Sequence, residues 1–425
     1  MYYDSPHIVT QVWLSAMHEI ILMSFLGADQ PNQFARLMAV LAKYDLDILD
    51  IGQAVIHDQL SLALVVASKK ETESALAMKE ILLVSHELGL AVRFKPITNE
   101  QYENWVKEGG QTRYIVTVLA RHLTPEHLAA VAAVIAGHGF NIDRLQRLSG
   151  RLGLDKLAEA AFHGRACVEI GVRGRLTDAQ SLRAECLMLS SNLSIDIAVQ
   201  EDNAYRRNRR LVCFDMDSTL IEQEVIDELA IAAGVGSQVA EITERAMQGE
   251  LDFAQSFKAR VALLQGLDAN VLAGIAANLR ITEGAERLVS TLKALGYRTA
   301  ILSGGFTYFA EYLQKKLGID EVHANHLDIE NGKVTGQVTG RIVDGARKAE
   351  LLRELAQRDG ISLEQVIAVG DGANDLPMLS IAGLGVAFRA KPLVRQNADQ
   401  AISSVGLDGI LYLLGVRDND LAQSH

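Results

Sequence analysis

Apolar positions change period repeatedly along this chain, and each change marks an element. Residues 19–26 have the make-up of a strand, after which Phe34, Leu37, Met38, Leu41 and Tyr44 recur at helical spacing. Strand-like runs at 48–56 and 60–67, a helical stripe through Leu76, Ile81, Leu82 and Val84, and a short run at 91–94 complete a βαββαβ order. The same order returns as strand 114–119, helix 126–135, strands near 142–148 and 166–172, a helix after Thr177 and strand 195–199. Leu46-Asp47-Ile48 is echoed by Phe140-Asn141-Ile142, so the first half of the chain reads as a tandem repeat.

Residues 201–210, EDNAYRRNRR, are polar, aperiodic and basic at their end, and read as a linker. Four apolar residues at 211–214 then form a strand that delivers Asp215 and Asp217. From 225 to about 279 the pattern is helical throughout, with weak turns at Gly234, Gly249 and Gly266. Strand and helix alternate again afterwards: helix 284–295, strand 298–302 ending in Ser303-Gly304-Gly305, and a hairpin signal at 322–338 around Asn331-Gly332. Helix 346–357 precedes strand 366–369, which ends in Gly370-Asp371-Gly372-Ala373-Asn374-Asp375, and further strands are expected at 384–388 and 401–403. Such alternation predicts an α/β domain, a doubly wound, Rossmann-like and mostly parallel sheet with an inserted helical cap. The expected organisation is two α+β ferredoxin-like domains at 1–105 and 106–200, a linker at 201–210 and an α/β domain at 211–425 with its cap near 225–280.

Composition narrows the function classes. A chain of 425 residues implies about two to four domains, and 49% hydrophobic residues with 6 Pro favour compact units over disordered tracts. A formal charge of −12 argues against a general affinity for nucleic acid or anionic membrane, so an anionic substrate must be held by local groups. Cys167, Cys186 and Cys213 are too few and too scattered for a disulfide framework or a CxxC metal site, which favours a reducing compartment. The first 30 residues lack a basic leader region, and their apolar run is broken by His18 and Glu19. Elsewhere no stretch reaches the roughly 18 uninterrupted apolar residues that a spanning helix needs, so a cytoplasmic protein is expected.

The chemistry concentrates where apolar strands end. Two aspartates separated by one residue repel each other and resist ionisation unless a cation or protons compensate, and a divalent metal is the natural compensator. In a parallel sheet the ends after 214, 302 and 369 open on one edge, so Asp215 and Asp217, Ser303-Gly304-Gly305, and Asp371 with Asp375 can converge. Lys348 sits on the helix before the last of these strands. Taken singly, each element has an ordinary reading as a solvated turn, a tight turn or a surface lysine. Their order and their placement at strand ends are jointly specific.

Asp215-Met216-Asp217-Ser218-Thr219, Ser303-Gly304-Gly305, Lys348 and Gly370-Asp371-Gly372-Ala373-Asn374-Asp375 resemble, without a gap, the four motifs of the phosphoserine phosphatases of the haloacid dehalogenase superfamily. The resemblance spans about residues 205 to 415. It implies hydrolysis of O-phospho-L-serine with Mg²⁺ held by Asp215, the backbone carbonyl of Asp217 and Asp371, and with Asp375 in support. Asp215 would be the nucleophile, forming an aspartyl-phosphate, and Asp217 the general acid and base. Ser303, the Gly304 and Gly305 amides, Lys348 and Asn374 would hold the phosphoryl end. Glu224, Phe253 and Arg260 match positions used for the amino acid end, though each also has a plain reading as a helix charge or cap core. Transfer to another alcohol such as homoserine, hydrolysis of a different small phosphoester, and an amino-acid sensor with an inactive phosphatase domain are the competing readings.

The repeated βαββαβ units resemble the ACT-type regulatory fold, whose members often bind amino acids where the first strand meets the first helix. Gly27, Ala28, Asp29 and Gln30 look like that ligand loop, with Gly27 and Asp29 as the candidate contacts for an effector such as serine across a homodimer interface. The second unit has Ala120, Arg121, His122 and Leu123 there and departs from the glycine pattern. A bare dimerising scaffold is the alternative.

Overall fold

The computed structural model describes residues 19–68, 70–151, 153, 164–248 and 250–421. The first 18 residues and the expected turn at Gly249 lie outside the described residues. The chain divides into two compact units, 1–111 and 112–425.

In the first unit, β1 (Glu19–Ala28), α1 (Gln33–Lys43), β2 (Asp47–Ile56), β3 (Gln59–Ser68), α2 (Glu71–Glu87) and β4 (Leu90–Ile97) form an antiparallel sheet in the order β2-β3-β1-β4 with two helices. Alternation in β1 and β3 sends Ile21, Met23, Phe25, Leu60, Leu62, Leu64 and Val66 to one face, where Leu37, Leu41 and Ile81 cover them. A further helix, α3 (Asn99–Glu108), was not expected. Its sequence NEQYENWVKE carries only a short apolar stripe, Tyr102, Trp105 and Val106, and buries no residue, and the signal that starts it is local: Thr98 and Gln101 form a reciprocal capping box.

The second unit begins with the same fold: β5 (Arg113–Ala120), α4 (Pro125–Gly137), β6 (Asn141–Arg147), β7 (Ala166–Arg173), α5 (Ala179–Leu193) and β8 (Asp196–Glu201), in the order β6-β7-β5-β8. The 201–210 stretch, expected as a polar linker, is mostly exposed, but two of its arginines are buried. Arg206 is 1% exposed and its Nη2 meets Glu169 Oε2 at 2.6 Å, while Arg209 is also buried.

The seven-stranded sheet runs β12-β11-β10-β9-β13-β14-β15, formed by β9 (Leu211–Phe214), β10 (Arg298–Phe306), β11 (Glu321–Glu330), β12 (Lys333–Thr339), β13 (Val366–Gly370), β14 (Leu384–Phe388) and β15 (Gln400–Ile402). All neighbours are parallel except the β11/β12 hairpin, which turns at Asn331 and Gly332 with φ of 50° and 76°. Successive residues of the central strands alternate between two cores. Val212, Phe214, Ile301, Ile367 and Val369 pack on one side, Leu211, Cys213, Ala300, Leu302, Val366 and Ala368 on the other. Such strands are apolar at every position because both faces are covered.

Four helices fill the insertion after β9: α6 (Val225–Ala232), α7 (Gly236–Met247), α8 (Phe253–Ala262) and α9 (Val271–Ala277). Where the chain leaves for this cap and returns from it, Ile221 and Ile281 pair as a β-bridge. Next come α10 (Ala285–Ala294) and α11 (Thr307–Leu317), whose Leu288, Leu292, Phe309 and Leu313 cover one face of the sheet. On the other face, α12 (Gly345–Arg358) and α14 (Pro392–Asn397) supply Leu351, Leu352, Leu355 and Val394, with the short α13 (Leu376–Leu379) between them.

The second α+β sheet and this sheet are tied through their edges. Val199 of β8 donates its N–H to Gln400 Oε1 at 3.0 Å, and Gln400 Nε2 donates back to the Val199 carbonyl at 2.8 Å. Asp196 accepts the amides of Ser403 and Ser404 at 2.8 and 2.9 Å. Arg121, at the loop position where a ligand contact was doubtful, pairs with Glu283.

Candidate active site

Strand β9 stops where its neighbour holds it: the Asp215 amide donates to the Val369 carbonyl at 2.9 Å. Beyond Asp215 the chain does not enter a regular helix. Asp217 is extended (φ −65°, ψ 138°) and Ser218 is left-handed (φ 54°, ψ 4°), a conformation that costs a non-glycine residue about 1–2 kcal/mol. On a regular strand these two aspartates, two residues apart, would share one face; the kink instead gives each its own partners, Lys348 for Asp215 and the Val225 amide for Asp217.

Lys348 is fully buried on the first turn of α12, which Asp344 caps by accepting the Arg347 amide. Its Nζ lies 2.7 Å from Asp215 Oδ1 and 2.6 Å from Asp375 Oδ1. Asp375 is buried as well, and its Oδ2 accepts the Gly372 amide at 2.9 Å. Gly370 makes that placement feasible, since a Cβ there would stand 2.4 Å from the Asp375 carboxylate. Asp371 receives a hydrogen bond from Thr219 Oγ1 at 3.3 Å.

Oxygens of Asp215, Asp371 and Asp375 all lie within 4.8 Å of one another. Three carboxylates against one ammonium leave an excess of negative charge, and the donors are hard oxygens. That set fits a divalent cation of the magnesium type. The strain shows in the titration. Burial, then the Asp375 charge, raises Asp215 well above the ordinary carboxyl value despite Lys348. Burial and then Asp375 push Asp371 up to about 7. Burial opposes the charge on Lys348, yet the two carboxylates hold its pKa above the usual lysine value.

Asp217 is set apart from this trio. Its Oδ1 accepts the Val225 amide at the start of α6 at 3.0 Å, and burial followed by the Glu224 charge pushes its pKa up to about 8. Gly305 borders it closely. Ser303 is fully buried, and its Oγ accepts the Gly305 amide at 2.9 Å. The expected end of β10 at residue 302 is passed, because the strand continues to Phe306 after a register shift against β11.

Cap residues reach the same edge. A Cβ on Gly304 would meet Phe253 Cζ at 2.8 Å. Phe253 stacks on Phe257 at 5.9 Å, which in turn meets Phe306 at 5.7 Å. Glu224 Oε1 accepts the Ser218 hydroxyl at 2.7 Å. Arg260, also on α8, is partly buried, and the charges acting on it include Glu224, Asp227 and Asp217. Asn374 folds over Gly372, where a Cβ would lie 2.3 Å from its Oδ1.

Sequence reasoning missed Asn325. It is 3% exposed, donates to the Gly304 carbonyl at 2.8 Å and accepts the Val343 amide at 2.8 Å, so it fixes the glycine pair from below. The available signal was an amide inside a strand, too common to notice. In the first unit, Gly27 packs against the Gly89 carbonyl, which a Cβ would meet at 2.7 Å, and Asp29 is exposed with its amide donating to the Asp58 carbonyl. Gln33 was overlooked there. It is 2% exposed, and its Nε2 donates to the Ala28 carbonyl at 2.9 Å.

Residues 212–380 match the family model of haloacid dehalogenase-like hydrolases, and residues 19–95 match that of the ACT domain. A phosphoserine phosphatase of Streptomyces coelicolor is 43% identical over 398 residues, covering 93% of this chain and 92% of that protein. One from Mycobacterium tuberculosis is 37% identical over 402 residues, 94% of each chain. Among solved structures, a probable phosphoserine phosphatase from Vibrio cholerae superposes with a TM-score of 0.57 at 36% identity, covering 73% of this chain and 88% of that one.

Proposed function

Because this chain belongs to the phosphoserine phosphatases of the haloacid dehalogenase-like hydrolases, we propose that it hydrolyses O-phospho-L-serine to L-serine and phosphate through an aspartyl-phosphate on Asp215. The observation that carries this reading is the buried Lys348 between Asp215 and Asp375, beside Asp371. A phosphate monoester repels a carboxylate nucleophile, and this cluster supplies both the nucleophile and the means to hold compensating charge.

Asp215 attacks phosphorus, and the bond from phosphorus to the serine oxygen breaks as Asp217 gives that oxygen its proton. Asp217 then takes a proton from the water that attacks the aspartyl-phosphate, which returns Asp215 and releases phosphate. A carboxyl with its pKa near 8 carries the proton that the first step needs at neutral pH. Lys348 orients Asp215 and meets the phosphoryl oxygens with Ser303, the Gly304 and Gly305 amides and Asn374. Asp215, Asp371 and the Asp217 carbonyl, supported by Asp375, would hold Mg²⁺, which supplies positive charge against the phosphoryl oxygens. Arg260 pairs with the substrate carboxylate, Glu224 with its ammonium group, and Phe253 covers the site.

The first βαββαβ unit acts as a sensor in this reading: serine or another amino acid binds near Gly27 and Asp29 in a cytoplasmic homodimer and lowers turnover. No helix among the described residues is long and apolar enough to cross a membrane. The deciding experiment is phosphate release from a panel of phosphoesters with Mg²⁺. If phosphoserine yields none while another ester is hydrolysed well, the substrate assignment fails.

A further inference from the structure

A cavity of about 680 Å³ opens where the second α+β sheet meets the outer edge of the seven-stranded sheet. Leu182 and Cys186 of α5 and Ile197 of β8 line it from one side, Arg395 of α14 from the other, and Arg209 joins them from the segment between the two folds. Nothing in the catalytic reading uses this space.

Its cations are unusual. Arg209 is 6% exposed, yet only part of its guanidinium is satisfied: Nη1 donates to the Glu364 carbonyl at 2.9 Å, while Nε is sheltered from solvent without a hydrogen-bond partner. Arg395 Nε is likewise sheltered and unpartnered. Burial lowers the Arg209 pKa to about 10, which still leaves it charged at neutral pH. Of the acidic groups lining the cavity, Asp399 is engaged by Arg183 at 3.3 Å and Glu201 is exposed. A protein that buries donors without acceptors loses their hydration without replacement, unless something else supplies the acceptor.

We propose that this cavity binds a small organic anion, with its carboxylate or phosphoryl head at Arg209 and Arg395 and its apolar body against Leu182, Cys186 and Ile197. Such a ligand touches both folds at once. It would therefore favour the arrangement that the Gln400 and Val199 hydrogen bonds also hold, and raise the unfolding temperature of the chain.

Hexanoate and hexylphosphonate, which share the apolar body and differ in the head, test this by calorimetric titration of the full chain. Asp215→Asn serves as a background in which the catalytic site is disabled. The expected result is saturable binding of at least one probe, one per chain, unchanged in Asp215→Asn and at least tenfold weaker in Arg395→Gln and in Arg209→Gln. Arg395→Gln keeps the test decisive if Arg209→Gln does not fold, because Arg395 is only partly buried. Binding of neither probe overturns the proposal, as does undiminished binding to folded Arg395→Gln. Loss of binding in Arg260→Gln, which removes a cation from the catalytic edge and leaves the cavity untouched, would place the anion at that edge and overturn it too.

Discussion

Gly305 is the residue that makes room for Asp217: a Cβ at position 305 would stand 2.6 Å from Asp217 Oδ2. The same carbon would meet Met216 Cε at 2.7 Å, and while that flexible end can swing aside, the Asp217 carboxylate, tied to the Val225 amide, can make room only by leaving its position. Gly305→Ala should fold normally yet lower kcat for phosphoserine by about 10²-fold, the scale of a misplaced catalytic group. Steady-state kinetics beside circular dichroism check both halves of the statement.

Asp215 and Asp217 should fail in different ways. With Asp215→Asn no phosphoenzyme forms. With Asp217→Asn turnover drops by about 10²–10⁴-fold, as expected for a lost acid–base group, and any phosphoenzyme formed is slow to hydrolyse. Rapid-quench experiments with radiolabelled phosphoserine distinguish the two. Near-normal turnover by Asp215→Asn would remove it as the nucleophile.

Removing the cation from the cluster is a separate matter. Lys348→Met leaves Asp215 and Asp375 buried without their counter-charge. It should reduce activity by about 10³-fold and destabilise the fold by about 3–5 kcal/mol, the cost of breaking a buried pair from one side. Urea unfolding at neutral pH measures the second effect.

Away from the site, acid stability should depend on Glu321. Hydrogen bonding from the Arg358 guanidinium, with help from His323, holds its carboxyl down to about 2. A depressed carboxyl stabilises the fold above its ordinary value of 4.5 and loses that contribution as pH falls toward 2. The melting temperature of Glu321→Gln should therefore lie below that of the parent at pH 6, and the gap should close by about pH 2. A gap that stays constant would show that the ion pairs do not account for it.

The legible part of this molecule was the part in which polarity breaks a strong apolar pattern. Leu211, Val212, Cys213 and Phe214 are buried on both faces, so the two aspartates that follow stood out, and the other motifs had the same form. Such contrast was lacking elsewhere. Helix α3 has only the short stripe Tyr102, Trp105 and Val106 and owes its start to Thr98 and Gln101, while Asn325 works through two backbone contacts that no spacing encodes. Within the 201–210 stretch, Arg206 looks solvated until Glu169, 37 positions earlier, is brought beside it by the fold.

The pairing of Ile221 with Ile281 bears on how the cap came to be where it is. The amide of Thr282 also reaches the Leu220 carbonyl at 3.0 Å, so the outgoing and incoming strands are laced together at the neck of the insertion. The insertion is fastened a second time at β12 and its turn, where the Gly266 amide donates to the Val334 carbonyl at 2.8 Å and the Ala269 amide to the Gly332 carbonyl at 2.9 Å. A graft meant to change the specificity above the carboxylate edge would therefore have to keep two fixed points, the neck at 221 and 281 and the 266–269 segment paired with β12, and vary only the helices between them.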